Sequence, residues 1–376
     1  MNRAEIKMWT PATLVLVLIM AAGGLVGIYR LLFGLGAATN LNDYWPWGFW
    51  IGMDVLGGVA MAAGGFIIAG AVYLLNWKKY KVIVRPAILN AFFGYALAAT
   101  AIFFDIGQSF RIWHPVVMWQ VNSIMFIVAI HVVLYTTTLA AESSPMVFEK
   151  LNMTGAYRFI NALMVPIVLF GVLLSTLHQS SLGAVYLIFP TKLSPLWYSK
   201  TLPYAFLVSA VFMGLSMVSF ETILSGRVFR HAAPLDVLTG LARGSLVVGV
   251  IYLALKGFDL VTGPGIGAAF QGSLTANLYL IEMIVGVILP VALLCTARFR
   301  TTVRGIFAVN IMVIMGTLLN RMNVGIFGVA EYATKAGADY FPSWMEFVFT
   351  AAMVAFAIFG FKVSAKYLNL FPEAGH

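Results

Sequence analysis

Charged residues are scarce in this chain of 376 amino acids, at 10% of the sequence. Soluble proteins carry about 25% charge, so an ordinary soluble domain is excluded. The net charge of +9 does not indicate nucleic-acid binding. The basic residues lie mostly in the segments between long apolar stretches, as they do in membrane proteins. They do not form one patch.

Metal-binding residues are equally scarce. Cys295 is the only cysteine, which excludes an intrachain disulfide, an iron–sulfur cluster and a c-type haem attachment in this chain. Of the five histidines only His131 falls well inside an apolar stretch, while His114 and His178 are assigned to the ends of stretches and form the one pair that could oppose each other. No strand–glycine-loop–helix pattern marks a flavin or nucleotide site. We therefore predict no metal, haem, flavin or iron–sulfur cluster in this chain.

Long apolar stretches are abundant, and hydrophobic residues make up 61% of the sequence. A bilayer core of about 30 Å requires about 20 apolar residues per helix. The sequence therefore predicts an all-α polytopic membrane protein with ten transmembrane helices, residues 1–376 forming a single integral membrane domain. The ten stretches are 10–33, 47–75, 83–104, 116–140, 159–177, 203–223, 238–256, 274–296, 302–320 and 344–365.

Most of the 23 lysines and arginines fall on the same side as the N-terminus when the ten stretches are threaded through a membrane. The positive-inside rule then predicts that both termini are cytoplasmic. The connections 180–202 and 321–343 are the longest, and we interpret them as lids or partner-docking surfaces on the other side. Arg321 is accordingly expected at the end of a span.

Ionisable residues inside apolar stretches are few, and such residues usually mark functional positions. Asp54, His131, Glu221 and Glu282 lie within stretches, and Glu142 closes the fourth stretch at its cytoplasmic end. His131 and Glu142 are eleven positions apart and share a helix face. We predict that Glu142, His131 and Asp54 form a proton path and that Glu221 and Glu282 form a parallel set in the second bundle; the alternative is that each makes an interhelical hydrogen bond.

The densest polar group lies between the third and fourth stretches, within residues 105–115. An acid, an amide, a cation, an indole and an imidazole occur together there, which suits the head group of a quinone. Asp54 lies about 10 Å deep on the same side, by the rise of a helix. The alternative is an interfacial turn with an Asp–Arg pair. The predicted quinone-binding residues are Asp54, Asp105, Gln108, Arg111, Trp113 and His114.

Three motifs in this chain resemble those of the polysulfide reductase NrfD family. The chain is most similar to the ten-helix, HybB-like branch, and within it to the membrane subunits of high-molecular-weight cytochrome (Hmc) complexes. One departure is Gly107-Gln108-Ser109, where many members have Gly-Arg-Pro. The motifs are residues 46–55, with the glycines that follow, residues 105–115, and residues 134–142.

The resemblance implies a quinone-interacting subunit that is not catalytic alone and carries no fixed cofactor. It implies two four-helix bundles, spans 2–5 and 6–9, with spans 1 and 10 outside. The implied location is a bacterial inner membrane, and the exchangeable cofactor is menaquinone or ubiquinone. The implied partners are a periplasmic four-cluster ferredoxin-like iron–sulfur subunit, a multihaem cytochrome c or other periplasmic redox subunit, and other membrane subunits. The alternative function is a secondary transporter or ion channel built from two helical bundles.

Overall fold

The computed structural model describes residues 6–229 and 234–371, and ten helices in this part of the chain are long and apolar enough to cross a membrane. No β-strand occurs among these described residues, so the predicted all-helical, multi-pass fold is confirmed. His231, His376 and the chain termini lie outside the described ranges. The helices are α1 (Pro11–Phe33), α2 (Trp50–Leu74), α3 (Lys78–Asp105), α4 (Ile124–Lys150), α5 (Met164–Ile188), α6 (Leu202–Val228), α7 (Leu235–Thr262), α8 (Leu274–Cys295), α9 (Val303–Lys335) and α10 (Trp344–Tyr367).

The helices pack as two four-helix bundles, α2–α5 and α6–α9, as expected. Helices α1 and α10 pair with each other and lie against α2 and α3, outside both bundles. We call the face that carries the α3–α4 connection the distal face, and the face that carries the α4–α5 connection the terminal face. The distal face also carries residues 34–49, 189–201, 263–273 and 336–343.

The two bundles meet where α2 crosses α6, and two glycines make this close approach possible. A β-carbon on Gly214 would lie 2.6 Å from the backbone nitrogen of Gly64, and one on Gly64 would lie 2.8 Å from the carbonyl oxygen of Gly214. Small residues commonly mediate such contacts between membrane helices. The glycine-rich composition of α2 therefore places the first bundle directly against the second.

Two helix boundaries differ from the sequence-based prediction. Helix α4 begins at Ile124, eight residues later than expected, because Ser123 caps it and accepts a hydrogen bond from the Phe126 nitrogen. Helix α9 does not end at residue 320 but continues to Lys335 through a wide π-helical turn at Asn323–Phe327. The interpretation of the whole segment 321–343 as a surface lid was therefore wrong.

The structure also moves Arg321 from the expected span end into the protein interior. Its side chain is almost fully buried, and its guanidinium donates hydrogen bonds to Asn320, to Ser209 and to the Phe206 carbonyl. Because these partners satisfy the charged group, the helix has no reason to end there.

Gly214→Ala is expected to destabilise the protein by about 1–3 kcal/mol, the usual range for an overpacked interior contact. The added methyl group would meet the backbone of α2, which cannot move aside as a flexible side chain could. Thermal unfolding of the purified protein in detergent measures the loss. Gly24→Ala on α1 is the matched control, since a β-carbon there meets no atom within 4 Å. Equal unfolding temperatures for the two variants would contradict this account of the crossing.

Candidate functional site

A cavity of about 400 Å³ lies near the distal face, enclosed by α2, α3, α4, α5 and the short helix His114–Val117. Its wall is mainly apolar, with Ile51 and Val55 from α2 and Leu182 from α5. Its volume falls within the usual range for small-molecule sites. We call it the distal cavity.

Five polar side chains line the distal cavity: Asp105, His114, Gln120, Ser123 and Tyr186. The Oδ1 atom of Asp105 and the hydroxyl of Tyr186 are buried behind this lining and make no hydrogen bond with the protein. The Tyr186 hydroxyl is turned toward α9, 3.4 Å from the place of a β-carbon on Gly325, so Tyr186 offers its ring to the cavity. The carboxyl, imidazole and amide groups of the lining are suited to contact a small ligand.

Asp105 ends α3, and Arg30 from the flanking helix α1 fixes the segment around it. The Arg30 guanidinium donates to the carbonyl oxygens of Phe104 and Ile106, both at 2.5 Å. These two bonds hold the backbone on either side of Asp105. Arg30 itself is buried. It lies close to the distal end of α1, on the same face as the Asp105 segment, and this position in the sequence could have indicated that it belongs to the site.

Aromatic rings form one side of the cavity. Trp47 lies 5.2 Å from Tyr186 and 5.3 Å from Phe189, measured between ring centroids, with both pairs edge to face. Tyr186 was absent from the sequence-based site because the fifth span was expected to end at residue 177. Helix α5 in fact continues to Ile188, which carries Tyr186 up to the cavity.

The structure brings together two of the six predicted quinone-binding residues, Asp105 and His114. Gln108, Arg111 and Trp113 are exposed and do not line the cavity. Trp113 packs against His114, with ring centroids 4.3 Å apart, so it supports the imidazole from outside. Because the connection forms a tight turn and then a short helix, neighbouring residues point in different directions.

Asp54, the sixth predicted residue, lies on another face of α2. Its segment, Trp50–Gly57, forms a wide π-helical turn, and Thr350 of α10 donates a 2.7 Å hydrogen bond to the Asp54 carboxyl. Ile51, Val55 and Leu56 from this turn face the distal cavity, whereas Met53 and Asp54 face a separate space.

That separate space is a groove of about 430 Å³ between α2, α3, α6 and α10, which we call the lateral groove. Asp54 and Glu221 both line it, and Asn90 lies close to Glu221. The wide turn of α2 is thus a wall shared by two cavities, and two of the predicted proton-path residues belong to the second one.

His131 and Glu142 belong to the contact between α4 and α5. The His131 ring lies 6.1 Å from the fully buried His178 ring, and His178 lies 5.5 Å from Tyr95, which packs against Tyr135 at 4.5 Å. This gives a row of rings that carry polar groups through the interior of the first bundle.

Glu142 lies further toward the terminal face, where one carboxyl oxygen contacts α5 at Gly171 and the other has no hydrogen-bond partner. Sequence reasoning missed His178 because it assigned that residue to a span end. It lies ten residues inside α5, about 15 Å from the distal end by the rise of a helix.

The His131–His178 pair does not fit a haem. A haem with two imidazole ligands needs a slot for the macrocycle between the rings, but His178 has no exposed surface and neither histidine lines either large cavity. Both ring nitrogens of His178 lack a hydrogen-bond partner. Among the described residues, no group of three or more His, Cys, Asp or Glu side chains could hold a metal ion.

Glu282 lies in the second bundle at the centre of a buried polar network. Its carboxyl accepts hydrogen bonds from Asn320 at 2.8 Å, Asn323 at 2.8 Å and the Trp197 indole at 2.9 Å, and the Lys256 ammonium lies 3.9 Å away. Lys256, the last residue of the predicted stretch 238–256, is buried as well. A charge kept in hydrocarbon requires such partners.

The five residues predicted for proton transfer occupy three places. His131 and Glu142 are in the first bundle, Asp54 and Glu221 line the lateral groove between the bundles, and Glu282 is in the second bundle. Glu221 therefore shares a cavity with Asp54, whereas it was expected to form a set with Glu282.

Removing the Glu282 carboxyl is expected to destabilise the protein strongly. Glu282→Leu would leave the Lys256 charge and the amides of Asn320 and Asn323 without their partner, at a cost of about 3–5 kcal/mol. Unfolding in a detergent–denaturant mixture measures the loss. The control is Glu149→Gln, which breaks the partly exposed 2.8 Å ion pair with Arg85 and is expected to cost about 1 kcal/mol or less. A smaller loss for Glu282→Leu than for the control would contradict the assignment.

The sequence profile described as "Polysulphide reductase, NrfD" matches residues 37–331. A protein of Nitratidesulfovibrio vulgaris is 34% identical over 98% of this chain and 96% of its own length. The "Probable Ni/Fe-hydrogenase 2 b-type cytochrome subunit" of Escherichia coli is 31% identical over 92% of this chain and 88% of its own length. The "Menaquinone reductase, integral membrane subunit" of Nitratidesulfovibrio vulgaris is 27% identical over 98% of this chain and 93% of its own length.

Proposed function

Because this chain belongs to the polysulphide reductase NrfD family, we propose that it is the quinone-interacting integral membrane subunit of a respiratory redox complex. Two similar proteins are named as a hydrogenase subunit and a menaquinone reductase subunit. These names favour a redox role over a transporter or channel. One relative is named a b-type cytochrome subunit, but in this chain the His131–His178 pair leaves no slot for a haem between its rings.

The observation that carries the proposal is the apolar distal cavity, which combines an aromatic wall with the Asp105 carboxyl, the His114 imidazole and the Gln120 amide. A quinone ring is flat and apolar, and carries two carbonyl oxygens at opposite edges. The His114 imidazole and the Gln120 amide suit carbonyl oxygens as hydrogen-bond donors, and Trp47 offers an aromatic wall. The quinone that fits this description is menaquinone or ubiquinone.

Quinone reduction takes up two electrons and two protons. In this chain Asp105 and His114 bring a carboxyl and an imidazole to the cavity, two groups that commonly act as acid and base, and both lie close to the distal surface. Trp113 keeps the imidazole turned toward the cavity, and Arg30 holds the backbone that carries the carboxyl. The side chains therefore bind and orient the ring and pass protons at the distal end.

We place the electron-carrying partner on the distal face. The connection that covers the cavity exposes Phe110, Trp119 and Val121 by 62–73% of their surface, and exposed apolar patches mark protein contacts. A ferredoxin-like iron–sulfur subunit docked there would lie next to the cavity, with a multihaem cytochrome c or another redox subunit beyond it. The distal face would then be periplasmic and both termini cytoplasmic, in the inner membrane of a bacterium.

Asp105→Asn and His114→Ala are each expected to lower quinone reduction by the purified complex about a hundredfold, the low end for loss of a proton-transfer group. Gln120→Leu removes an amide donor from the cavity wall and is expected to raise the KM for quinone about fivefold. Steady-state kinetics with a soluble quinone analogue measures both effects.

Asp43→Asn is the matched control for these variants, because Asp43 is exposed on the distal face outside the cavity. It changes a carboxyl to an amide as Asp105→Asn does, and turnover should stay at the wild-type rate. If Asp105→Asn, His114→Ala and Gln120→Leu all behave like Asp43→Asn, the quinone does not bind in the distal cavity.

We further propose that protons reach the distal cavity from the terminal face along α4 and α5. Glu142 is the entry, and the row of Tyr135, Tyr95, His178 and His131 covers the interior of the bundle. Asp54, Glu221 and Glu282 lie outside this row. Proton transfer through these residues would therefore require separate routes.

If this route operates, Glu142→Gln and His131→Ala should abolish charge movement across proteoliposomes during turnover, while chemical quinone reduction continues. A voltage-sensitive dye reports the membrane potential, and an absorbance assay of quinone in the same vesicles reports turnover. Glu149→Gln, at the exposed terminal end of α4, is the control. A normal membrane potential in both test variants at normal turnover would show that these residues only bond the helices together.

A further inference from the structure

The lateral groove has no part in the proposed quinone chemistry, yet it is as large as the distal cavity, at about 430 Å³. Its floor is formed by α2 and α3, and its walls by α6 and α10. Gly58 contributes to the floor, and a β-carbon built there meets no atom within 4 Å. The groove is therefore open because this position of α2 has no side chain.

Both ends of the groove are closed. At the distal end the hydrogen bond between Thr350 and Asp54 joins α10 to α2 at 2.7 Å. At the terminal end the rings of Phe229 and Phe361 stack, with centroids 6.4 Å apart and an angle of 30° between their planes. The only broad access left is from the side.

The side opening lies between α6 and α10, where Leu224 and Ile358 line the groove and are 43% and 52% exposed. Both residues lie well inside their membrane-spanning helices, so the opening faces lipid hydrocarbon. The occupant must therefore arrive from within the bilayer. A phospholipid held at the terminal surface by its head group would have to pass the stacked Phe229 and Phe361 rings.

Polar side chains interrupt the apolar lining at a few places: Asp54 at the distal end, Lys362 at the terminal end, and Glu221, Asn90 and Ser225 between them. Asp54 accepts a hydrogen bond from Thr350, and Lys362 donates to the Met8 carbonyl and to Thr13. Both carboxyl oxygens of Glu221 are enclosed and have no hydrogen bond of good geometry, and the Asn90 amide is the polar group close to them. The rest of the lining includes Met61 and Met217, whose flexible thioether side chains adapt to irregular ligands.

We propose that the lateral groove is a second binding site for an isoprenoid quinone or quinol, with the ring beside Glu221 and Asn90 and the tail leaving between α6 and α10. A quinone carbonyl accepts a hydrogen bond from a carboxyl or amide group, and a quinol hydroxyl donates one. A saturated acyl chain would leave Glu221 without a partner. The identity of the ligand rests on the proposed function.

The second site holds quinone and does not reduce it. Glu221 lies 19 residues into α6, which places it about 28 Å from the distal end of that helix. That distance separates it from a partner docked on the distal face. The groove and the distal cavity share the wide turn of α2 as a wall, but the ring beside Glu221 lies nearer the terminal face, so the groove stores a quinone from the membrane pool away from the site of reduction.

The test uses the assembled complex in lipid nanodiscs and a photoreactive azido-quinone with an isoprenoid tail. In the wild type, mass spectrometry should find label both on peptides around Asn90 and Glu221 and on the distal segment 105–126. Gly58→Leu fills the floor and should reduce label in the groove about tenfold, which corresponds to about 1.4 kcal/mol, without changing label in the distal cavity. Gly24→Leu on α1 is the control, since that position is exposed and open.

Two variants at Glu221 examine the hydrogen bond and serve if Gly58→Leu does not assemble. Glu221→Gln keeps a donor and an acceptor and should retain label in the groove, whereas Glu221→Leu should lose most of it. Equal label in both variants would overturn the assignment of Glu221.

Three further results would overturn the proposal. Label confined to the distal segment would reject the second site and leave the proposed function intact. Label in the groove from a phosphatidylglycerol with a photoreactive acyl chain, with none from the quinone, would identify a lipid in its place. Absence of quinone label from both sites would reject the proposed function as well.

Discussion

Every polar group inside the membrane must find its partner within the protein, because hydrocarbon offers none, and this constraint shapes the second bundle. Its centre is Glu282. The Glu282 carboxyl accepts hydrogen bonds from an amide of α9 and from the indole of Trp197, which lies in the loop between α5 and α6. The same network ties that loop to the membrane interior, and the bond from the Ser194 nitrogen to the Gly328 carbonyl fixes it further. Most of the network is satisfied, which is what a rigid supporting element requires.

The first bundle departs from this pattern. The Asp105 carboxyl, the Tyr186 hydroxyl, both nitrogens of His178 and one oxygen of Glu142 lack protein partners. Unpaired buried groups also occur in the second bundle, at Glu221 of α6 and Asn323 of α9, but the longer series lies in the first bundle. Leaving buried polar groups unpaired costs about 1–3 kcal/mol each. The longer series in α2–α5 is a physical reason to propose quinone chemistry for the first bundle.

Helix α2 connects these two roles. It crosses α6 at Gly64 and Gly214, and its wide turn at Trp50–Gly57 separates the distal cavity from the lateral groove. A regular α-helical turn has fewer residues than a π-helical turn. It would therefore present fewer side chains to the distal cavity and the lateral groove at one depth in the membrane. The extra residue of a π-helical turn lets Val55 face one cavity and Asp54 the other, and such turns occur often at functional sites.

The sequence by itself determined the ten spans, the all-helical fold and the distal segment that contains Asp105 and His114, because hydrocarbon thickness fixes helix length and polar clusters mark helix ends. Hydropathy could not predict that α9 continues past Arg321. A hydropathy scale counts the charge of Arg321 but does not include the hydrogen-bond partners that stabilise it. Tertiary structure alone decided that His178 faces His131, that Tyr186 reaches the distal cavity and that Asp54 turns away from it. The direction of a side chain depends on helix rotation and on local turns, and these are set by packing between helices that are far apart in sequence.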